Sequence, residues 1–363
     1  MQGKRLPIAL VLVGVLVFAG IAGAAFKPFK SYPAGGETLA VTTGDFNGDG
    51  HTDVVATSRA SDTFTLLRGN GNGKFKAPQD FPAGDAPLGV AKADFNHDGR
   101  LDLAIGHQVG GGVSIVLGKR HGFRHPVSYR TDSQSAYVVV ADLGKGKQRD
   151  LAVAGQGANT ISVLHGRPHG KFSAPQMITG VNDPFAITAG RLSGDHYTDL
   201  ICTTDDGISV FRGKKDGKFH DEKTYAAGDG PNDVIIGRVD GDRKSDVVVA
   251  DYSHGSVFVL RGEGHGKLAE AKSYPAASNS AAGVRFIDYD HNKRRDLAVT
   301  DDNNADSDVA ILRGTRHGFK APKLFPVADG PYGLAVGRFN EDKSPDIAAT
   351  SYNPGAVSIL LSK

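Results

Sequence analysis

The sequence predicts an all-β chain: a seven-bladed β-propeller of four-stranded blades, closed by the N-terminal strand completing the last blade. Three observations carry this expectation. An acidic stretch returns seven times at a nearly constant step, each return is flanked by short apolar runs of β character, and the strand missing from the last unit is found at the start of the chain.

The first element is an address. Lys4 and Arg5 precede an apolar run that begins at Leu6, and Ala22-Gly23-Ala24 fits the small-x-small pattern of a cleaved leader. Residues 1–24 therefore read as a signal peptide or an N-terminal membrane anchor, since Leu6 to Ala25 supplies 20 apolar residues, enough to span a bilayer. Both alternatives make the remainder a secreted or extracytoplasmic protein, with residues 6–25 as its only contact with a membrane. The single cysteine, Cys202, lies in the apolar run DLICTT and has no partner for an internal disulfide, so it reads as a small buried hydrophobe.

The body of the chain is a repeat. The stretch DFNGDGHTD at 45 returns as DFNHDGRLD at 94, DLGKGKQRD at 142, RLSGDHYTD at 191, RVDGDRKSD at 238, DYDHNKRRD at 288 and RFNEDKSPD at 338, with steps of 49, 48, 49, 47, 50 and 50 residues. A period of this size marks a solenoid, propeller or array. A second marker keeps the same step: LLRGNGNGKF at 66, IVLGKRHGF at 115, VLHGRPHGKF at 163, VFRGKKDGKF at 210, VLRGEGHGKL at 259 and ILRGTRHGF at 311. In the first unit LAVTTGDF, DVVATS, TFTLLRG and FKAPQDFPAG read as four strands, rich in Val, Thr and Phe and broken by turn residues. No segment sustains helical apolar spacing, so almost no helix is expected. The 48 glycines, well above the usual share of about 7%, fit many tight turns between short strands.

The ends decide between a ring and an open array. The last unit stops at VSILLSK, after its third strand, and FKPFKSYPAG at 26–35 matches FKAPQDFPAG at 75–84. Pairing the first segment with the last unit would complete the final blade and leave no half-built edge. Residues 26–363 are thus expected to form one propeller.

Within the acidic stretch, oxygen-bearing residues at positions 1, 3, 5 and 9, with a backbone carbonyl at position 7, suit a hard cation such as calcium, and glycine at position 6 permits the turn that gathers them. Asp45, Asn47, Asp49, His51 (through its carbonyl) and Asp53 make one full set, and Asp94, Asn96, Asp98, Arg100 (through its carbonyl) and Asp102 a second. Asp288, Asp290, Asn292 and Asp296 keep the oxygens but have Lys293 in place of glycine, at a cost of about 1 kcal/mol if positive φ is required there. The competing reading of each loop is a plain polar turn. Two calcium sites, or three, are expected per chain. Where arginine replaces the first acid, at Arg191, Arg238 and Arg338, the guanidinium either forks onto the remaining aspartates or points into solvent. The ninth-position aspartate is present in all seven units, including the one whose other ligands are gone, and is expected also to bond the loop backbone. His121, His169, His265 and His317, each before a glycine, read as turn residues tolerant of left-handed backbone rather than as zinc ligands.

The loop DFNGDGHTD followed by DVVAT, together with LLRGNGNGKF, resembles the FG-GAP or VCBS repeats that also build the integrin α-chain propeller. The resemblance covers residues 26–363. It implies a propeller whose loop between the first two strands of a blade can bind calcium, without fixing a ligand or a reaction.

Charge narrows the partners. The net charge is +2, and zero without Lys4 and Arg5, which lacks the basic excess of a nucleic-acid binder. The face opposite the acidic loops carries larger and more varied connectors, with His107, Tyr252, His254, Tyr332 and Tyr352 as candidate contacts for a protein or polysaccharide. The sequence is read as a monomeric, non-catalytic binding or adhesion scaffold. A lectin-like propeller is the alternative, although the chain has no tryptophan to stack on sugars. An enzyme acting on polysaccharide is the third reading, since paired carboxylates can do acid and base work.

Overall fold

The chain's architecture is given by a computed structural model that describes residues 25–363 apart from 132–133, 145, 147 and 303–306. The expected leader or anchor lies outside the described residues. The described chain is all-β, with seven four-stranded antiparallel sheets. Three single-turn 3-10 segments are its only helical elements.

Each sheet is one blade, and in the first six the strands run outward from the ring axis in chain order. In the first blade these are Thr38–Gly44, Asp53–Ser58, Thr63–Leu67 and Gln79–Pro82. The second strand of every blade is buried along its whole length. Neighbouring strands flank it on both sides and neighbouring blades cover both its faces, so sequences such as DVVVAD and DIAATS lack the alternation of a half-exposed strand. Outermost strands such as KSYP at 30–33 are largely exposed and carry the charges.

The ring closes as the sequence predicts. Lys30–Pro33 pairs antiparallel with Ala356–Leu360 in the register Lys30 with Ile359 and Pro33 with Ala356, and becomes the outer strand of the last blade. The pairing extends to a bridge between Phe26 and Ser362. The innermost strand of blade one touches the first two strands of blade seven, Thr43 Oγ1 donating to the Val336 carbonyl at 3.0 Å and Thr350 Oγ1 to the Leu39 carbonyl at 2.8 Å.

The core is divided into layers between blades rather than gathered at one centre. One layer joins Val41, Val54 and Phe75 of blade one to Phe339, Val357 and Ile359 of blade seven, and the other interfaces follow the same plan. The two sequence markers meet in these layers. The residue at position 2 of an acidic loop packs against the aromatic of the second marker in the next blade: Phe46 with Phe123, Phe95 with Phe172, and Phe339 with Phe75, at centroid distances of 6.0, 5.3 and 5.3 Å. Phe26 takes that role in the last blade, 5.5 Å from Tyr289. The N-terminal segment therefore supplies a hydrophobic plug as well as a strand.

Candidate functional site

The acidic loops and the hairpins of the second marker emerge on one face of the ring. The ninth-position aspartate is the structural pivot of each loop. Asp53 accepts from the amides of Phe46 at 3.0 Å and Gly69 at 2.9 Å. Asp102, Asp150, Asp199, Asp246, Asp296 and Asp346 repeat the arrangement, each bonding the amide seven residues before it and one on the connector that follows the third strand. This bonding explains why the aspartate persists in the third blade, where the other ligands are missing. Burial, reinforced by the charges of Asp49 and Asp45, raises Asp53 to about 6 even though two amides favour its ionised form; Asp102 is raised to about 6 by burial and by Asp98 and Asp94.

The remaining loop oxygens differ between blades. In the first loop Asp45 gathers the amides of Gly48, Asp49 and Gly50, while Asp49 accepts from His51 and the Asn47 amide donates to Asp53. The second loop repeats this with Asp94 accepting from Asp98 and Gly99, and Asp98 from Arg100. In the sixth blade Asp288, Asp290 and Asp296 bring carboxylate oxygens within 4.8 Å of one another, the one such acidic triad among the described residues. Asp288 Oδ1 is buried there without a hydrogen-bond partner. Three converging carboxylates and an orphaned buried oxygen fit a hard cation.

Backbone conformation separates loops with a full set of oxygens from the rest. Position 6 is left-handed at Gly50, Gly99 and Lys293, with φ of 86°, 82° and 64°, and at no other described position 6. Lys293 thus adopts the conformation that its replacement of glycine makes costly.

Two expectations need correction. Among the described residues Arg191, Arg238 and Arg338 form no ion pair, and all three are exposed. The aspartates they were to fork onto bond local amides instead, as Asp242 bonds Lys244 and Asp195 bonds Tyr197. Of the hairpin histidines, His169 and His265 are left-handed, but His121 and His317 are not; their hairpins are one residue shorter and place the positive φ on Gly122 and Gly318.

The opposite face holds a cavity of about 400 Å³ at the mouth of the ring axis. Its floor is apolar, from Leu39, Leu88 and Phe185, and Tyr252, Tyr332 and Tyr352 rise around it with Arg59, Gln108, Asp302 and Asp329. The tyrosines are held in place: Tyr252 donates to Asp302 at 2.7 Å and Tyr332 to Asn232 at 2.9 Å. Arg59 donates to Glu37 at 2.7 Å, to Gln108 at 2.9 Å and to the Tyr352 hydroxyl at 2.9 Å, tying blades one, two and seven together. Burial and the Asp302 bond push Tyr252 up to about 12, and burial raises Tyr332 further, so both remain protonated donors at neutral pH.

Three of the five predicted contacts, Tyr252, Tyr332 and Tyr352, come together here. His107 does not: it is buried against the Ala83 carbonyl at 3.2 Å, and burial lowers its pKa. His254 is exposed beside Asp251 and Asp229. Arg59 escaped notice because its link to Tyr352 spans 293 positions of the chain, and SRASD gives no local signal of it.

Comparison with known proteins places these features in a class. The model of the FG-GAP-like repeat matches residues 25–105 and 238–299, which include the first two acidic loops and the sixth-blade loop. With seven four-stranded blades, the chain is a β-propeller that carries FG-GAP-like repeats over those residues. No curated protein matches it in sequence. Among solved structures, BBS1N in complex with ARL6DN, soaked with lead, is similar with a TM-score of 0.64 and 15% identity, over 93% of this chain and 96% of that one. An Agrocybe aegerita lectin that recognises non-reducing terminal N-acetylglucosamine is similar with a TM-score of 0.55 and 16% identity, over 79% of this chain and 80% of that one. At these identities the likeness is one of fold.

Proposed function

We propose that the protein is an exported, calcium-binding, non-catalytic propeller that holds a protein or surface polymer at the axial cavity. The observation that carries this reading is the cavity itself: an apolar floor, three tyrosines fixed by hydrogen bonds, and a few polar groups from blades far apart in sequence form a built concave site. The similar structures support binding as the use of such a ring, one being in complex with a protein and the other recognising a sugar. A saccharide is the second reading, favoured by tyrosine faces beside Asp302, Asp329 and Asn353.

Calcium belongs to the opposite face in this reading, held by the Asp45, Asp94 and Asp288 loops. A divalent ion there would turn carboxylate repulsion, about 4 kcal/mol for a pair 4 Å apart at an effective dielectric of 20, into attraction. Its role is to stiffen the loops, since the cavity lies across the ring. Export rests on residues 1–24 acting as leader or anchor.

Capture tests the reading. The protein is offered to a glycan array and to surface-polymer and protein fractions, with and without chelator, beside Tyr332→Ala and Tyr352→Ala. Retention that both variants lose supports the axial site. Retention that neither variant alters, or release of cleaved product, overturns it.

A further inference from the structure

The two faces of the ring differ in charge in a way the net charge conceals. On the face of the acidic loops, each blade carries an exposed cation beside the aromatic of the second marker, or beside Leu268 in the fifth blade: Lys74, Arg124, Lys171, Lys218, Lys267, Lys320 and, from the segment before the closing strand, Lys27. None of them is in an ion pair among the described residues. The acidic loops lie inside this circle and carry both signs, Asp45 and Asp94 against Arg243 and Arg294, so the basic excess belongs to the outer hairpins. The described connectors of the other face contain no lysine and expose Asp62, Asp85, Asp205, Asp206, Asp229 and Asp329.

A cation recurring in every blade is a geometrical fact about the assembled ring, because the repeat places the seven side chains around one circumference. Unpaired cations in a circle raise the potential over that face and attract an extended anionic surface more than a small anion. The course of the chain favours one such surface. Ala25, whose carbonyl accepts from the Lys363 amide at 2.8 Å, is on this same basic side, and the apolar run Leu6 to Ala25 joins the ring there.

We infer that the basic face docks on an anionic lipid bilayer, with the axial cavity directed away from it. This inference is independent of what the cavity binds. It needs no insertion of the apolar run, because juxtamembrane lysines and arginines are drawn to anionic headgroups in their own right.

The test uses the full chain with vesicles of phosphatidylcholine alone or with 30% phosphatidylglycerol. The ratio of anionic to neutral binding is the readout, so that insertion by residues 6–25, common to both vesicles, cancels. The wild type should favour anionic vesicles at least tenfold at about 20 mM salt, and the preference should collapse at about 500 mM, where screening is short-ranged. Charge reversal at Lys74, Lys171, Lys218 and Lys267 should abolish the preference, and the corresponding glutamine variant should reduce it. Both variants are checked by melting. Equal binding to both vesicles, a preference the reversal leaves intact, or binding to dextran sulfate without any to anionic vesicles overturns the inference.

Discussion

Asp53 accepts a 2.9 Å hydrogen bond from the amide of Gly69, 16 residues further along the chain, and so fastens the acidic loop of the first blade to its outer hairpin. The same joint occurs in every blade, and most of the expected mutational behaviour follows from it.

Replacing a pivot aspartate where no metal is expected isolates its structural role. Asp150→Ala or Asp199→Ala leaves two or more backbone amides without their acceptor, and each should cost about 2–4 kcal/mol. Urea denaturation measures this. A loss below about 0.5 kcal/mol would show that water replaces the carboxylate without penalty.

The glycine of the second marker faces this joint, and its reason is proximity rather than backbone conformation. A Cβ on Gly262 would collide with the Ser245 carbonyl, and one on Gly314 with that of Arg295; neither glycine has positive φ. Gly262→Ala should therefore destabilise by about 1–3 kcal/mol, the usual scale for overpacking, and lower the melting temperature.

Acid should act in an unusual direction once divalent ions are chelated. Burial holds Asp53 and Asp102 near 6 in the folded state, above the ordinary value of 3.8, so the folded state binds their protons more tightly. Their contribution is fully present below the unfolded value and is lost as pH rises through about 6. In chelator, melting temperature should rise from pH 7 toward pH 5; in calcium this gain should shrink or reverse. A monotonic fall on acidification in chelator would contradict the raised values.

Calcium stoichiometry and one glycine swap test the metal loops. Calorimetric titration should count two or three ions per chain, and seven would sink the scheme. Lys293→Gly relieves the strain at φ 64°, worth about 1 kcal/mol, and should tighten the sixth-blade site about fivefold.

Closing the ring has a measurable worth. Phe26 is buried and packs edge-on against Phe325 at 4.9 Å, so Phe26→Ala should cost about 3–5 kcal/mol. Denaturation compared with Phe75→Ala, its counterpart in the first blade, shows whether the closing position is used like the others.

What was legible in the sequence was whatever the repeat enforces. Blade number, strand order and the N-terminal closure all follow from the step between DFNGDGHTD and its copies, and from the match of Phe26 to Phe75. What was not legible depends on contacts across the ring. Arg59 meets Gln108 and Tyr352 because blades one, two and seven converge at the axis, and no local pattern announces that meeting. Arg191, Arg238 and Arg338 misled because replacement of an acid by a base suggests an internal counter-ion, whereas these three side chains are exposed and local amides bond the aspartates. Lys293 was legible as a cost, and the structure shows the left-handed backbone that imposes it.

The lock between Lys30–Pro33 and Ala356–Leu360 also sets an order of events. Lys30–Pro33 is made before Ala356–Leu360, so the outer strand of the last wedge stays unpaired until its neighbour has been synthesised. Early wedges can collapse as they appear, but the circle itself closes only after its last wedge has been synthesised.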